Sequence, residues 1–579
     1  MRILSSFFLV TGLSSTGGAV ELPWMRVTIA PQFDGREQAV AALNMTLQLN
    51  DAKSTAGRPL LTLALNHGLT PTLRYDGDAL SAADDSGPLP LSYTDTNDTD
   101  AQRTWVSTRD PAGEIVVRFL AEPRKTDAQT PSGPRIDLRD DQGGVVGMGA
   151  GFIPYPPAEE EWDVRVRWVV PESAPADTHF ASSVGDERDS SAVGLPSRII
   201  AKAYFAVGPL QRWSARDNAS TNASYTRRRN DAQQDFDMYW MGNLPYDEGS
   251  VAETTKRVFL AISEFFGDDE SSFRLFWRRA WAGYGGAGGY QSFLLEYSEG
   301  TEEEQSEDAL KFLLSHEMIH EYALMYPTRQ FDMWYREGVA QYYGAVAPFS
   351  GGATDREYFV RWLNNNAQAY YTSSTVDMEW QDILDNYWTG VEVVKTPYSR
   401  GFIYLAQVQG LIAEATGGEK DLDDIVLELY RLFLAVEKCQ SEEFVGLLSD
   451  IIGKESAEAS YEGMLNGTLI VPHADGFAKF GLKMVRRDAG KLELGYTSIG
   501  SNVTTVVQGS RAEEAGLMVG DQVVRAWALW GAGDALENMM RVVVMRDGEE
   551  VVIEYVPRSY EKVENWMWVD AGEGDASRR

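Results

Sequence analysis

The five residues His316-Glu317-Met318-Ile319-His320 narrow the folds open to this chain more than any other stretch. They sit in SEDALKFLLSHEMIHEYALMY, where apolar residues recur every three to four positions, the period of a helix with one buried face. Residues four apart on a helix lie one turn apart on the same side, so both imidazoles point toward one spot, with Glu317 beside the first. With 5 histidines in 579 residues, chance delivers this pattern with odds of about 0.003. Two imidazoles and an adjacent carboxylate suit a metal-activated water, the carboxylate acting as general base. A catalytic zinc takes a third protein ligand and leaves its fourth position to water. Glu337, in WYREGVAQYY on the next predicted helix, is the candidate, because the connection marked by Pro327 is short enough to make the helices antiparallel neighbours. Its rival Glu321 stands about 100° around the helix from His320 and is less able to complete a tetrahedron.

Hydrophobic period divides the rest. Residues 24–193 alternate in strand fashion between clusters of Gly, Pro, Asp and Asn, which predicts an N-terminal all-β, sandwich-like domain over 20–194. From 195 to 300 the pattern mixes, with a helix expected near AETTKRVFLAISEFFG and a strand at SFRLFWRRAW. Helical periodicity then dominates from 306 to 466, giving a mostly helical region within a catalytic domain of 195–472. Beyond Pro472 the period returns to two, and Asp547-Gly548 between β-branched runs marks a hairpin. This predicts a separate β-rich module over 473–558 and a tail over 559–579. The fold class is therefore multidomain α+β.

Charge excludes some partners. With 52 basic and 86 acidic residues the formal charge is −34, which repels nucleic acid and anionic membrane surfaces. No stretch approaches the roughly 20 apolar residues of a membrane span. Residues 1–19 place an arginine before a short apolar run and small residues, the pattern of a signal peptide, and imply secretion. Six sequons, at Asn44, Asn97, Asn218, Asn222, Asn466 and Asn502, agree with export through a glycosylating pathway. The single cysteine, Cys439, excludes an intrachain disulfide and reads as a small buried apolar group.

The run from His316 through Glu337 to Tyr343 resembles the glutamate-zincin metallopeptidases, and residues 334–343 resemble the W-x-x-E-G-x-x-x-Y-Y segment of their glycyl aminopeptidase family. The resemblance implies a thermolysin-like catalytic domain holding one Zn2+ ion. PYSRGFIYLAQ, residues 397–407, is similar to the clan's Tyr-x-Lys-Gly helix start, which implies that Tyr398 stabilises the oxyanion; Arg400 stands where the lysine would be. The chemistry is consistent, since water attack on an amide leaves negative charge that zinc and a phenol donor can share. LELGYTSIG followed by SRAEEAGLMVGDQVV resembles a PDZ domain, which implies that Leu494, Gly495 and Tyr496 form a loop for a C-terminal peptide ligand. Gly520 and Asp521 read as turn residues.

The glycine-rich residues 283–292 lack the G-K-[ST] of a phosphate loop. They read either as a flexible loop or as an exposed backbone edge on which an extended peptide pairs. Gly288-Gly289-Tyr290-Gln291 resembles the family's Gly-Gly-Leu-Glu-His in position, where a glutamate helps to hold the substrate α-amine. Gln291 in its place removes a charge-assisted partner for that ammonium. The acidic run 299–308 reads as a solvated loop at the positive end of a helix dipole, or as an attractor of a cationic substrate terminus. Together these features imply a secreted zinc peptidase acting on peptides or proteins; the family resemblance further implies an aminopeptidase for small N-terminal residues such as Gly or Ala. The alternatives are a zinc endopeptidase with PDZ-assisted substrate capture and an inactive peptide-binding protein.

Overall fold

In the strand Trp24–Phe33 every second side chain is buried, with Met25, Val27 and Ile29 turned inward. That alternation is what a sheet with one covered face demands. The computed structural model describes residues 22–572 apart from short internal stretches, the longest being 216–234 and 299–305. The expected signal peptide and most of the acidic run therefore lie outside the described residues, as do the sequons at Asn97, Asn218 and Asn222.

The chain divides into two units that meet between Leu210 and Gln211. In the first, a seven-stranded sheet runs in the order Asp189–Pro196, Glu161–Trp168, Trp24–Phe33, Val40–Asn50, Ile115–Ala121, Leu80–Asp84, Gly87–Pro88. Smaller sheets of four and three strands supply Leu61, Leu63, Val145 and Phe205 to the same core, so the unit is sandwich-like. The boundary expected at 194 falls short of the observed one. Tyr204–Gly208 pairs with both Gly144–Met148 and His179–Ser182, and its buried run carries no alternation that sequence could detect.

The second unit is built on a five-stranded sheet in the order Leu210–Ser214, Phe236–Met241, Phe273–Arg279, Ser292–Tyr297, Gly285–Gly289. Phe273, Leu275, Trp277, Phe293 and Leu295 share one core with Val258, Phe259 and Ile262 of the helix Glu248–Phe266. Three further helices position the site: the histidine helix Glu307–Ile319, the glutamate helix Met333–Ser350 and the tyrosine helix Val391–Thr416.

The C-terminal strands depart from expectation in two ways. The predicted tail carries the strands Arg558–Val563 and Trp566–Asp570, which pair with Ala489–Leu492 and Leu482–Arg486. Trp568 is 1% exposed, its ring against Phe402 and Phe477, and its backbone exchanges hydrogen bonds with the Asn364 amide at 2.7 and 2.9 Å. The last strand is thus part of the helical core. Its separation in sequence hides this, because WMWVD gives too short a run to show which face is covered. The five-stranded sheet of residues 496–555 carries one short helix, Arg511–Glu514, and among the described residues between Trp527 and Met540 there are turns where a PDZ groove would have its second helix.

Candidate metal centre

The histidine helix starts on Ser306, whose side chain accepts from the Ala309 N–H, and ends with His320 as its C-cap. The four-residue helical spacing places the two imidazoles on one face. The start of the glutamate helix is held by Asp332, which accepts from Ser441 Oγ at 2.6 Å and from Arg329 at 2.8 Å. The glutamate and tyrosine helices then cross at two glycines. A Cβ on Gly338 would come 2.6 Å from the Gly401 backbone, and one on Gly401 would come 2.1 Å from the Trp334 carbonyl oxygen. Backbone against backbone is the closest approach two helices can make, and it sets Glu337 beside Tyr398.

His316, His320 and Glu337 form a group able to hold one metal ion. The two Nε2 atoms are 3.2 Å apart, and each lies 3.4 Å from Glu337 Oε2. Ligand bonds of about 2.0–2.1 Å at tetrahedral angles demand donor separations of about 3.3–3.4 Å. The triangle fits zinc. It also leaves Glu337 Oε2 buried without a hydrogen-bond partner, a costly arrangement unless that oxygen and the two Nε2 atoms share a cation. Burial works against the ionised Glu337, but the imidazoles of His320 and His316 outweigh it and hold the carboxyl below the usual range. Glu321 is directed elsewhere: its charge acts on Tyr290, where burial first and then this carboxylate raise the phenol pKa.

Glu317 is half-buried beside the triangle, and its charge reaches both Tyr284 and Tyr398. The Tyr398 ring stacks on His316 at 5.5 Å and 17°. Burial, then the charges of Glu337, Tyr387 and Glu317, push its pKa well up, so at neutral pH it keeps its proton and its O–H can donate a hydrogen bond. Tyr387, which sequence reasoning missed, is 7% exposed and hydrogen-bonded to Tyr398. Its one sequence signal is an aromatic pair, Tyr387-Trp388, just ahead of the helix start at Gly390. Arg400 is fully buried and donates to the carbonyls of Thr375 and Val376 at 2.8 and 3.3 Å, a structural tie.

Gly288 and Gly289 lie in the strand Gly285–Gly289, at one edge of the sheet and antiparallel to Ser292–Tyr297. Tyr290 and Gln291 make the two-residue turn, Gln291 at a φ of 45°. The Gln291 side chain turns to Ser272 and Ser271, at 3.4 and 3.5 Å. Leu494, Gly495 and Tyr496 lie in the other β region, away from the triangle in sequence, with the Leu494 and Gly495 carbonyls accepting from Tyr555 Oη and the Val507 N–H.

No protein-family model matches this chain, and no curated protein does. Among solved structures, it is similar to an aminopeptidase N family protein from Idiomarina loihiensis, with TM-score 0.62 and 13% identity over 94% of this chain and 98% of that one. That likeness establishes a shared fold. An M1 zinc metallopeptidase from Deinococcus radiodurans gives a TM-score of 0.46 at 15% identity, over 78% of this chain and 95% of that one, too distant to carry weight.

Proposed function

We propose that this chain is a zinc-dependent peptidase of the aminopeptidase kind, exported from the cell and acting on peptides with small N-terminal residues. The observation that carries the reading is the donor triangle of His316, His320 and Glu337, whose edges of 3.2–3.4 Å suit tetrahedral zinc. The fold it shares with an aminopeptidase N family protein supports it.

A zinc ion held by His316, His320 and Glu337 would supply Lewis acidity for the attacking water and the substrate carbonyl. The Glu317 carboxylate takes a proton from the attacking water and returns it to the leaving amine. The Tyr398 phenol donates to the oxygen on which negative charge develops. The strand Gly285–Gly289 lies at one end of its sheet and close to the histidine helix, so an extended substrate added along that edge would run beside the helix. Small side chains at an N-terminus match this reading through the implied family, and they are its finest claim.

The second reading, a zinc endopeptidase, is favoured by Gln291, which is uncharged and engaged with Ser271 and Ser272. Capture of a substrate C-terminus at Leu494, Gly495 and Tyr496 belongs to that reading. Hydrolysis of free-amine and N-blocked peptides separates the two: the first reading expects cleavage of Gly- and Ala-initiated peptides only when the amine is free. One zinc per chain by metal analysis is expected of both. A chain that binds no zinc, or whose Glu317→Gln variant is fully active, would falsify both.

A further inference from the structure

Pro397 stands inside the tyrosine helix, one residue before Tyr398. A proline has no N–H to give, so the first turn of this helix is joined to the remainder by one hydrogen bond fewer. That turn is held from outside instead. Glu392 accepts from the Ser374 N–H and Oγ, both at 2.7 Å, and from Ser373 Oγ at 3.2 Å. Thr396 and Thr375 share a hydrogen bond of 2.7 Å between their hydroxyls.

Another support comes from the C-terminal strands. Lys395, three residues before Tyr398, pairs with Asp534, and the two side chains are only 14% and 29% exposed. Asp534 belongs to the turn 531–538, closed by its own N–H and by Asn538 Nδ2, both donating to the Gly531 carbonyl at 3.0 and 2.8 Å. Arg558, 4% exposed, staples that turn to the helical core. It donates to the carbonyls of Ala532, Gly533 and Ala535 at 3.2, 2.9 and 3.2 Å, and to Thr372 Oγ1. The Leu536 N–H donates to Gln368 Oε1 at 3.0 Å.

We propose that the Lys395–Asp534 pair positions the Tyr398 phenol, so that the C-terminal β region acts in catalysis as a brace on a proline-weakened helix turn. Lys395 and Asp534 are positioning residues acting through Tyr398. The inference rests on the peptidase reading above.

The test uses the full chain with zinc bound. Misplacing a reacting group by a fraction of an ångström costs roughly tenfold to a hundredfold in rate. Asp534→Asn is therefore expected to lower kcat by that amount, with KM and zinc content unchanged and faster hydrogen exchange at the amides of residues 391–398. In a Tyr398→Phe background the same substitution is expected to cost no more than about twofold, because the group it positions is already gone. The charge-swapped double variant Lys395→Asp/Asp534→Lys restores part of kcat. Unchanged kcat in Asp534→Asn, or equal losses with and without the Tyr398 hydroxyl, overturns the proposal alone. A wild-type chain that binds zinc but hydrolyses no peptide overturns the peptidase reading and this inference with it. Asn is isosteric with Asp, so this variant stays informative even if a change at Lys395 disrupts folding.

Discussion

Three residues of the candidate site can each be asked for a different loss. Glu337→Gln removes an anionic ligand and is expected to lower zinc content after dialysis, read by metal analysis. Glu317→Gln leaves the triangle intact, so zinc stays while kcat falls by about 10²–10⁴. If Tyr398 serves the oxyanion as proposed, Tyr398→Phe is expected to lower kcat by about 10²–10³ with little change in KM. Retention of full activity by Tyr398→Phe would assign its phenol to packing against His316. His316, Glu317 and His320 were legible because four residues of helix define their geometry without help from the rest of the fold. Tyr387 was not, since only the packing of its turn against the tyrosine helix brings it to Tyr398. Gln291 was found in sequence, but the direction of its side chain is set by Ser271 and Ser272, twenty and nineteen residues away.

At the scale of elements, the crossing of the glutamate and tyrosine helices is the sensitive point. Gly338→Ala and Gly401→Ala each force a methyl into backbone at 2.6 and 2.1 Å. Overpacking of this kind costs about 1–3 kcal/mol, and here it also separates Glu337 from Tyr398. Thermal unfolding should show the stability loss, and kcat should fall further than that loss alone explains; a variant with native kcat would show that the crossing tolerates spreading. The helices themselves could be read from their period, whereas their point of closest approach could not. A glycine in a helix signals either a weak spot or a tight crossing, and the partner that decides between them lies sixty-three residues along the chain.

On the scale of the chain, buried phenols set the alkaline limit. Burial, before any neighbouring charge, raises the pKa of Tyr322, Tyr342, Tyr343, Tyr358 and Tyr371. The folded chain keeps these protons where the unfolded chain releases them, above about pH 10. Stability from this source is complete below that pH and falls as pH rises past it. Melting temperature followed together with phenolate absorbance should show one transition above about pH 10, and phenolate appearing in the folded chain near neutrality would contradict it. Truncation gives a second expectation: ending the chain at 558 removes Trp568 and with it part of the helical core. Loss of a core tryptophan costs about 3–5 kcal/mol, and Trp568→Ala reads that cost with the strand still present. The change of period at Pro472 was legible, but it marked a change of secondary structure and not the limit of a core.

The place of Trp568 also bears on the order of events as the chain is made. The histidines leave the ribosome first, and roughly 250 residues must follow before the tryptophan that packs on Phe402 is available, about 10–50 s of synthesis. Until then the helices around the triangle lack part of their core, so on the proposed reading a nascent chain is expected to be a poor peptidase. On the proposed reading, synthesis of this last strand doubles as a timer that delays proteolytic competence.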